Sequence, residues 1–360
     1  MEKINILIGT KGQLIKMAPI IKLLEKQNIE YNFINAAQHG DIFLEIADSF
    51  KLSNQSLNLI NRKKDVLNTY EEFIWLQRAL LKTIIKEKKI FKNSLIVVHG
   101  DAPPVFLGWL VNKFIKSKIA HVEAGLRSFD FFNPFPEEIF RYLIDKKAEY
   151  LYAPNKIACV NLKKMNAKGE IINTIENTVL DTIRFSIKDL DYKINKSIKN
   201  SVIFTVHRYE TLKSRKKMLF ILDILRKISS NHKVTFVMHN TTKNYLEKNN
   251  LINKIPNNVN IIPLQIYPKF IKMIHNCKFV VTDGGGLQEE TTYLGKPCLI
   301  LRTLTERSQG LSENIVISKF NKEKIEYFIK NYSSYKRKSL INNDVKPSQI
   351  IVDHLKEYVI

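Results

Sequence analysis

Cysteine is scarce in this chain of 360 residues. Only Cys159, Cys277 and Cys298 occur, odd in number and without metal-ligand spacing. That excludes a disulfide framework and a thiolate metal site, and reads as buried apolar positions in a reducing compartment. Glycine (12) and proline (11) are too few for a collagen-like or linker-like chain. No apolar run approaches the roughly 20 residues of a membrane span, so no integral membrane segment is expected. The first residues, Met1 to Ile8, run straight into a strand pattern instead of a signal sequence. These features point to a cytoplasmic protein. Acidic residues are short as well, with 35 Asp and Glu against 57 Lys and Arg, a net charge of +22. Such an excess invites a nucleic-acid or anionic-surface reading. Zinc-finger spacing, an aromatic RNA-binding signature and basic heptads are all missing, and Lys outnumbers Arg about fourfold. The excess therefore reads as lysine on solvent-facing positions, with no nucleic-acid partner. A setting peripheral to the inner membrane stays open. Hydrophobic residues make up 44%, enough for substantial cores.

Short β-rich runs alternate with helical patterns throughout. Residues 4–8, 31–34, 95–98, 119–122 and 150–153 read as strands; 14–26, 103–115 and 137–147 read as helices. Residues 166–200 break the rhythm and are rich in Asn and Lys. Five further β runs follow at 202–206, 234–238, 259–262, 279–282 and 298–301. Residues 336–346 read as a loop and 349–359 as a closing amphipathic helix. Strands alternating with helices imply an α/β fold with two parallel-sheet, Rossmann-like domains facing a cleft. Ligands in such sheets bind beyond the carboxyl ends of the strands.

The residues after each strand carry the chemistry. Gly9-Thr10-Lys11-Gly12-Gln13 opens a helix that carries Lys16, a generic anion site at a helix N-terminus. It is not a dinucleotide fingerprint. His99-Gly100-Asp101 and Glu123-Ala124-Gly125-Leu126-Arg127 end two strands, and Glu137-Glu138 starts a helix. Glu137 and Glu138 have an ordinary explanation in helix-terminus electrostatics. Asp101 and Glu123 lack one at the rim of a buried sheet, and converging carboxylates suit acid/base work. In the second half, His207-Arg208 and His239 follow two strands at matching positions. One arginine beside two histidines fits phosphate recognition. Asp283-Gly284-Gly285-Gly286 leads into a helix carrying Glu289 and Glu290. Backbone N–H groups there offer an anion cradle, and the carboxylate suits ribose hydroxyls. Glu306-Arg307 brings a further cation after the last strand. No spaced His, Cys or Asp cluster suggests a metal.

These motifs, in this order, resemble those of the bacterial UDP-N-acetylglucosamine 2-epimerase family. The matching stretches run from Gly9-Thr10…Lys16-Met17-Ala18-Pro19 through Val98-His99-Gly100-Asp101, His121-Val122-Glu123-Ala124-Gly125-Leu126-Arg127 and Pro134-Phe135-Pro136-Glu137-Glu138. They continue with Ala153-Pro154, Asn177-Thr178-Val179, His207-Arg208-x-Glu210, Thr282-Asp283-x-Gly285-Gly286-Leu287-Gln288-Glu289-Glu290, Leu294-Gly295-Lys296-Pro297 and Thr305-Glu306-Arg307. The resemblance implies a GT-B-like fold. Its N-terminal domain would span residues 1–170 and its UDP-binding domain 171–346, with 347–360 crossing back to the first. It implies a UDP-sugar substrate, C2 proton removal with loss of UDP, and re-addition to the other epimer. It implies Asp101, Glu123, Glu137 and His207 as catalytic residues. Lys11, Lys16, Arg208, Gly284, Gly285, Gly286, Glu290 and Arg307 would bind substrate. A regulatory second site would use Gln38, His39 and His239. A homodimer is implied, and no nicotinamide or metal cofactor.

The chain departs from the family at several contacts. Lys11 stands for the usual Arg, losing a bidentate fork. Gly284 stands for Ser, Ala102 for Thr, and Tyr209 and Thr211 interrupt the pattern after His207-Arg208. Ser308-Gln309 replaces Pro-Glu after Arg307. The carboxylates survive, which fits altered donor recognition better than lost catalysis. Two alternatives remain: a hydrolysing enzyme that releases UDP and a free N-acetylmannosamine-type sugar, and a GT-B glycosyltransferase on the same scaffold.

Overall fold

The computed structural model describes residues 3–38, 42–52, 56–60, 69–132, 135–188, 193, 198–305 and 309–359. The chain divides into two compact units, 1–182 with 344–360, and 183–343.

Unit 1 begins with β1 (Lys3–Ile8), α1 (Lys11–Lys26), β2 (Tyr31–Asn35), α2 (Ile42–Ser49), β3 (Ser56–Asn58), α3 (Thr69–Ile85) and α4 (Lys88–Phe91). It continues with β4 (Ser94–His99), α5 (Pro103–Phe114), β5 (Lys118–Val122), α6 (Glu137–Lys147), β6 (Tyr150–Ala153), α7 (Lys156–Lys164) and β7 (Glu170–Asn173). The strands form one sheet in the order β3-β2-β1-β4-β5-β6-β7, with every pairing parallel. Helices cover both faces, so the central strands are apolar and buried without alternation. All six residues of β4 are buried. One polar exception is satisfied internally: Asn5 donates to Ser94 Oγ at 2.8 Å and to the Ile90 carbonyl at 2.9 Å.

The helix α8 (Val179–Lys188) leads into unit 2. That unit holds β8 (Val202–Thr205), α9 (Tyr209–Leu212), α10 (Arg215–Ser229), β9 (Val234–Met238), α11 (Asn240–Lys248), β10 (Asn260–Pro263), α12 (Tyr267–Asn276), β11 (Val280–Thr282), α13 (Gly286–Tyr293), β12 (Cys298–Ile300), β13 (Ile315–Ile317) and α14 (Lys322–Asn331). Its parallel sheet runs β10-β9-β8-β11-β12-β13. Phe204, Phe236, Phe279 and Phe328 anchor its core. The last helix, α15 (Pro347–Val359), returns to unit 1 and lies against α1. There His354 Nδ1 is 2.9 Å from the Tyr152 hydroxyl, and the Ser348 amide donates to Asp181 at 2.8 Å.

Three strands escape the periodicity reading. The first half does not close at 150–153, because β7 pairs beyond β6. The second half has six strands, with β13 at the edge. Like β3, these are edge strands of three or four residues, too short for a pattern. The helix α3 is obscured for another reason: Tyr70, Phe73, Leu81 and Ile85 are exposed on it, so its apolar positions do not mark a single buried stripe.

Each sheet order reverses once. The chain turns between β1 and β4 in unit 1 and between β8 and β11 in unit 2. In open α/β sheets the crevice at such a reversal, beyond the carboxyl ends of the strands, is where ligands sit. This locates two places to examine: Gly9–Lys16 with His99–Asp101, and His207–Arg208 with Asp283–Gly286.

Candidate active site

In unit 1, Thr10 caps α1 in a reciprocal box. Its Oγ1 accepts from the Gln13 amide at 3.3 Å, and Gln13 Oε1 accepts from the Thr10 amide at 3.2 Å and the Gly9 amide at 3.0 Å. Gln13 Nε2 reaches the His99 carbonyl at 2.8 Å, tying the β1 loop to the end of β4. One turn on, the Lys16 ammonium meets Glu123 Oε2 at 2.7 Å. His99 Nε2 lies 3.0 Å from the same oxygen, at an angle outside hydrogen-bond geometry. The Glu123 side chain is only 9% exposed. Its backbone sits at φ 70°, in the left-handed region that non-glycine residues rarely adopt. Such a conformation costs on the order of 1–3 kcal/mol and clusters at functional sites.

Asp101 is held from α6. Arg141 pairs with it and lies 3.6 Å from Glu138 Oε2. Glu138 is fully buried and accepts from Arg127 Nε at 2.6 Å and from the Ser128 and Phe129 amides at 3.2 and 3.1 Å. Glu138 thus anchors the Arg127 loop. Glu137, its neighbour, begins α6, and its Oε2 is buried without a hydrogen-bond partner. Glu72 on α3 is close enough that the Glu137 charge, after burial, pushes its carboxyl above the usual range.

In unit 2, Asp283 is fully buried behind the β8 loop. Its Oδ1 accepts from the His207 amide at 3.0 Å and its Oδ2 from the Arg208 amide at 3.0 Å. The His207 ring stacks on His239 with centroids 4.2 Å apart and planes 15° apart. Burial pushes the His207 imidazole below its usual range; the Asp283 charge opposes this and Arg208 adds to it. A Cβ at position 284 would stand 3.0 Å from His207 Cε1. Glycine in place of the family's Ser therefore gives that ring its room. At Gly286, the first residue of α13, a Cβ would meet nothing within 4 Å. Gly285 has ordinary helical angles, φ −73° and ψ −29°, and none of the three glycines takes a positive φ. The backbone angles of the turn therefore do not demand glycine, and beside Gly286 the backbone is open to a close approach. On α13, Glu290 faces the buried Tyr267 hydroxyl. Burial, the Glu290 charge and hydrogen bond, and the Glu289 charge push that phenol well up. Gln288 accepts from Thr305 Oγ1 at 2.7 Å and donates to the Gln309 carbonyl at 2.9 Å, bracketing the segment that contains Arg307.

The described candidates thus fall beyond strand ends and at helix starts, with particulars that spacing did not reveal. Lys16, read as a phosphate contact, has its ammonium on Glu123. His239, read with a regulatory site, stacks on His207. Lys11 is the first residue of α1. Gln38 is buried in unit 1 with Oε1 lacking a hydrogen-bond partner. His39 and Arg307, like Pro134 and Glu306 of the motifs, lie outside the described residues. The sequence reading missed His99, Glu72, Arg141, Asp283 and Tyr267 as site members. Arg141 was legible in hindsight, one helical turn after Glu137 on the same helix. Glu72 gave no signal. Among the described residues no group of three or more His, Cys, Asp or Glu is placed to hold a metal ion. Nor is any described helix long and apolar enough to cross a membrane.

Two parallel-sheet units, one with carboxylates gathered at its strand ends and one with a histidine and a glycine turn at its own, define a GT-B-like enzyme. The family model described as UDP-N-acetylglucosamine 2-epimerase matches residues 22–353. The chain belongs to the UDP-N-acetylglucosamine 2-epimerase family. It is 34% identical over 345 residues to the UDP-N-acetylglucosamine 2-epimerase of Methanocaldococcus jannaschii, covering 90% of each chain. It is 31% identical over 336 residues to that of Campylobacter jejuni, covering 88% of this chain and 85% of the relative. The crystal structure of the M. jannaschii enzyme in complex with UDP-GlcNAc and UDP superposes with a TM-score of 0.78 at 29% identity, covering 99% of both chains. The Neisseria meningitidis enzyme bound to UDP-GlcNAc gives 0.79 at 25% identity, covering 99% of this chain and 100% of the other.

Proposed function

We propose that the protein interconverts UDP-N-acetylglucosamine and UDP-N-acetylmannosamine, or a close analogue pair. The reaction removes the C2 proton, expels UDP from C1 to leave a glycal, then returns UDP to C1 and a proton to the opposite face of C2. Inversion needs acid/base groups serving both faces, and the leaving diphosphate needs hydrogen-bond donors. Asp101, Glu123 and Glu137 are assigned the proton transfers. Lys11, His207, Arg208, Arg307 and the Gly284–Gly286 turn are assigned the diphosphate, and Glu290 the ribose. Lys16 serves by holding Glu123 in place through their 2.7 Å ion pair. The observation that carries the reading is Glu123: a carboxylate at the end of β5, strained at φ 70° and held between Lys16 and His99. Strain of this kind concentrates at functional sites. UDP-GlcNAc in the solved relatives supports the substrate class.

The same reading makes the protein a cytoplasmic homodimer that feeds cell-surface polysaccharide synthesis. The dimer is supported by α3, where Tyr70, Phe73, Leu81 and Ile85 share one exposed face, each more than half exposed. Gln38, His39 and His239 are assigned to regulation by a second UDP-sugar, with His239 also supporting the His207 ring.

Incubation with UDP-N-acetylglucosamine in heavy water, followed by NMR, tests the activity. Deuterium at C2 and a mixture of the two epimers are expected. Free UDP with free N-acetylmannosamine would assign the hydrolysing reaction instead. UDP release only with an acceptor would assign a transferase. No C2 exchange with any UDP-sugar, with or without added activator, overturns the epimerase reading.

A further inference from the structure

His121 and Asp145 are both fully buried in unit 1, and the proposed chemistry uses neither. His121 projects from β5 two residues before Glu123, and Asp145 from the last turns of α6. The imidazole Nδ1 is 2.7 Å from Asp145 Oδ1, and its Nε2 is 2.7 Å from the Gly100 carbonyl. Asp145 Oδ2 accepts from the Gly125 amide at 3.1 Å.

These three contacts join three segments. Gly100 adjoins Asp101. Gly125 lies two residues beyond Glu123. Asp145 rides on the helix that begins at Glu137 and whose Arg141 pairs with Asp101. Gly125 itself has no latitude: at φ 80°, a Cβ there would stand 2.4 Å from the Ala158 carbonyl. The proton count is also constrained. A carbonyl only accepts, so Nε2 must carry hydrogen. The close contact between Nδ1 and Oδ1 then needs one proton between them. Both ring nitrogens and both carboxylate oxygens are thereby satisfied, as burial requires.

We infer that His121 and Asp145 form a buried strut that sets the mutual placement of the three proton-transfer carboxylates, acting as positioning residues. The inference rests on the proposed reaction only for its kinetic consequence. A misplacement of about 1 Å at a reacting group costs about a hundredfold in rate. Nucleotide binding, assigned to Lys11 and to residues of unit 2, uses none of the residues that the strut joins.

The test compares Asp145→Ala and Asp145→Asn in the full chain, by hydrogen-exchange mass spectrometry and by C2 exchange kinetics. Asn can donate Nδ2–H to a neutral His121 Nδ1 and still accept the Gly125 amide, so it keeps every contact. With Ala, amide exchange should quicken around 99–101 and 123–125, while the rest of the sheet stays protected. kcat should fall about tenfold or more, with KM and the Kd for UDP within about twofold. Asn should restore most of both. Should Asp145→Ala not fold, Asp145→Asn and His121→Gln carry the comparison, Gln breaking one of the two ring contacts. In the wild type, 15N-labelled histidine should show two slowly exchanging ring protons for His121, or one with a second shared with Asp145. Unchanged loop exchange and kcat in a folded Asp145→Ala or His121→Gln protein overturns the strut. So does an Asn variant as impaired as Ala. Were the wild type to show no C2 exchange at all, the reaction would be wrong, yet the loop-exchange and ring-proton readouts would still decide the strut.

Discussion

Replacing Gly286 by alanine separates stability from ligand binding. In the protein alone, the new Cβ meets no atom within 4 Å, and the residue is exposed with no positive φ. Folding therefore gains from the reduced freedom of the unfolded chain, about 0.4–1 kcal/mol. For a unit of this size that is a rise of about 1–4 °C in Tm. Binding should move the other way. If a diphosphate oxygen rests on the amides that open α13, a methyl at position 286 holds it off. Losing one or two charge-assisted hydrogen bonds costs about 1.5–3 kcal/mol, about tenfold to a hundredfold in Kd. Thermal melting without nucleotide and calorimetric titration with UDP read the two effects. A higher Tm with weaker UDP binding is expected. A higher Tm with UDP affinity within twofold of wild type would falsify the cradle, since the glycine would then serve neither backbone nor ligand.

Three other perturbations follow from the site. Lys16→Met strips the ammonium from Glu123, which is 9% exposed; kcat for C2 exchange should drop at least about tenfold with UDP affinity kept, and parallel loss of both would return Lys16 to phosphate binding. Gly284→Ala places a Cβ 3.0 Å from His207 Cε1, against a ring already stacked on His239; overpacking of this kind costs about 1–3 kcal/mol, and slower turnover is expected, an unchanged kcat showing that the His207 position is not critical. His207 carries a pH signature. Burial lowers its folded-state pKa below the unfolded value near 6.5, so between those values the unfolded chain binds more protons and stability falls as pH falls. Relative to His207→Gln, wild type should lose ground below pH 6.5, by less than about 1.4 kcal/mol per pH unit because a ring about a third exposed is screened. Urea midpoints at pH 7.5 and 5.5 check this, and a constant difference refutes it.

Much of the fold was legible because parallel sheets covered on both faces leave unbroken apolar runs. β4, with six buried residues, cannot be mistaken. Edge strands carry no such mark: β7 has no fully buried residue, and its registry comes from β6. The candidate site divides in the same way. Asp101, Glu123, His207 and the 284–286 turn were found because they follow strands, and sheet topology converts that position into a location. Their partners were not found, since Lys16 meets Glu123 across 107 positions of sequence and Asp283 meets His207 across 76. No local pattern encodes such contacts. For Lys16, its place on a helix behind a glycine loop suggested a phosphate, and local spacing carried no sign of the Glu123 carboxylate that its ammonium meets.

The three proposed proton-transfer carboxylates differ in their charge environment, and that difference singles out Glu72. Asp101 has Arg141 and Glu123 has Lys16. Among the described residues no ion pair gives Glu137 a cation, and its electrostatic neighbour is another carboxyl, Glu72. Two carboxyls without a cation between them do not both ionise cheaply. The extra proton belongs on Glu72, raised first by burial and then by the Glu137 charge. The linkage runs opposite to that of His207. A carboxyl raised on folding binds protons more tightly in the native state than in the unfolded chain, so stability falls as pH climbs from about 4.5 through the folded value. Glu72→Gln fixes the neutral form and removes that loss. Chemical denaturation should show the variant level with wild type near pH 4 and more stable at pH 7. Equal stability at both pH values, or a variant weaker at neutral pH, would mean that Glu72 is ionised in the folded protein. Glu137 would then have to find its compensation elsewhere.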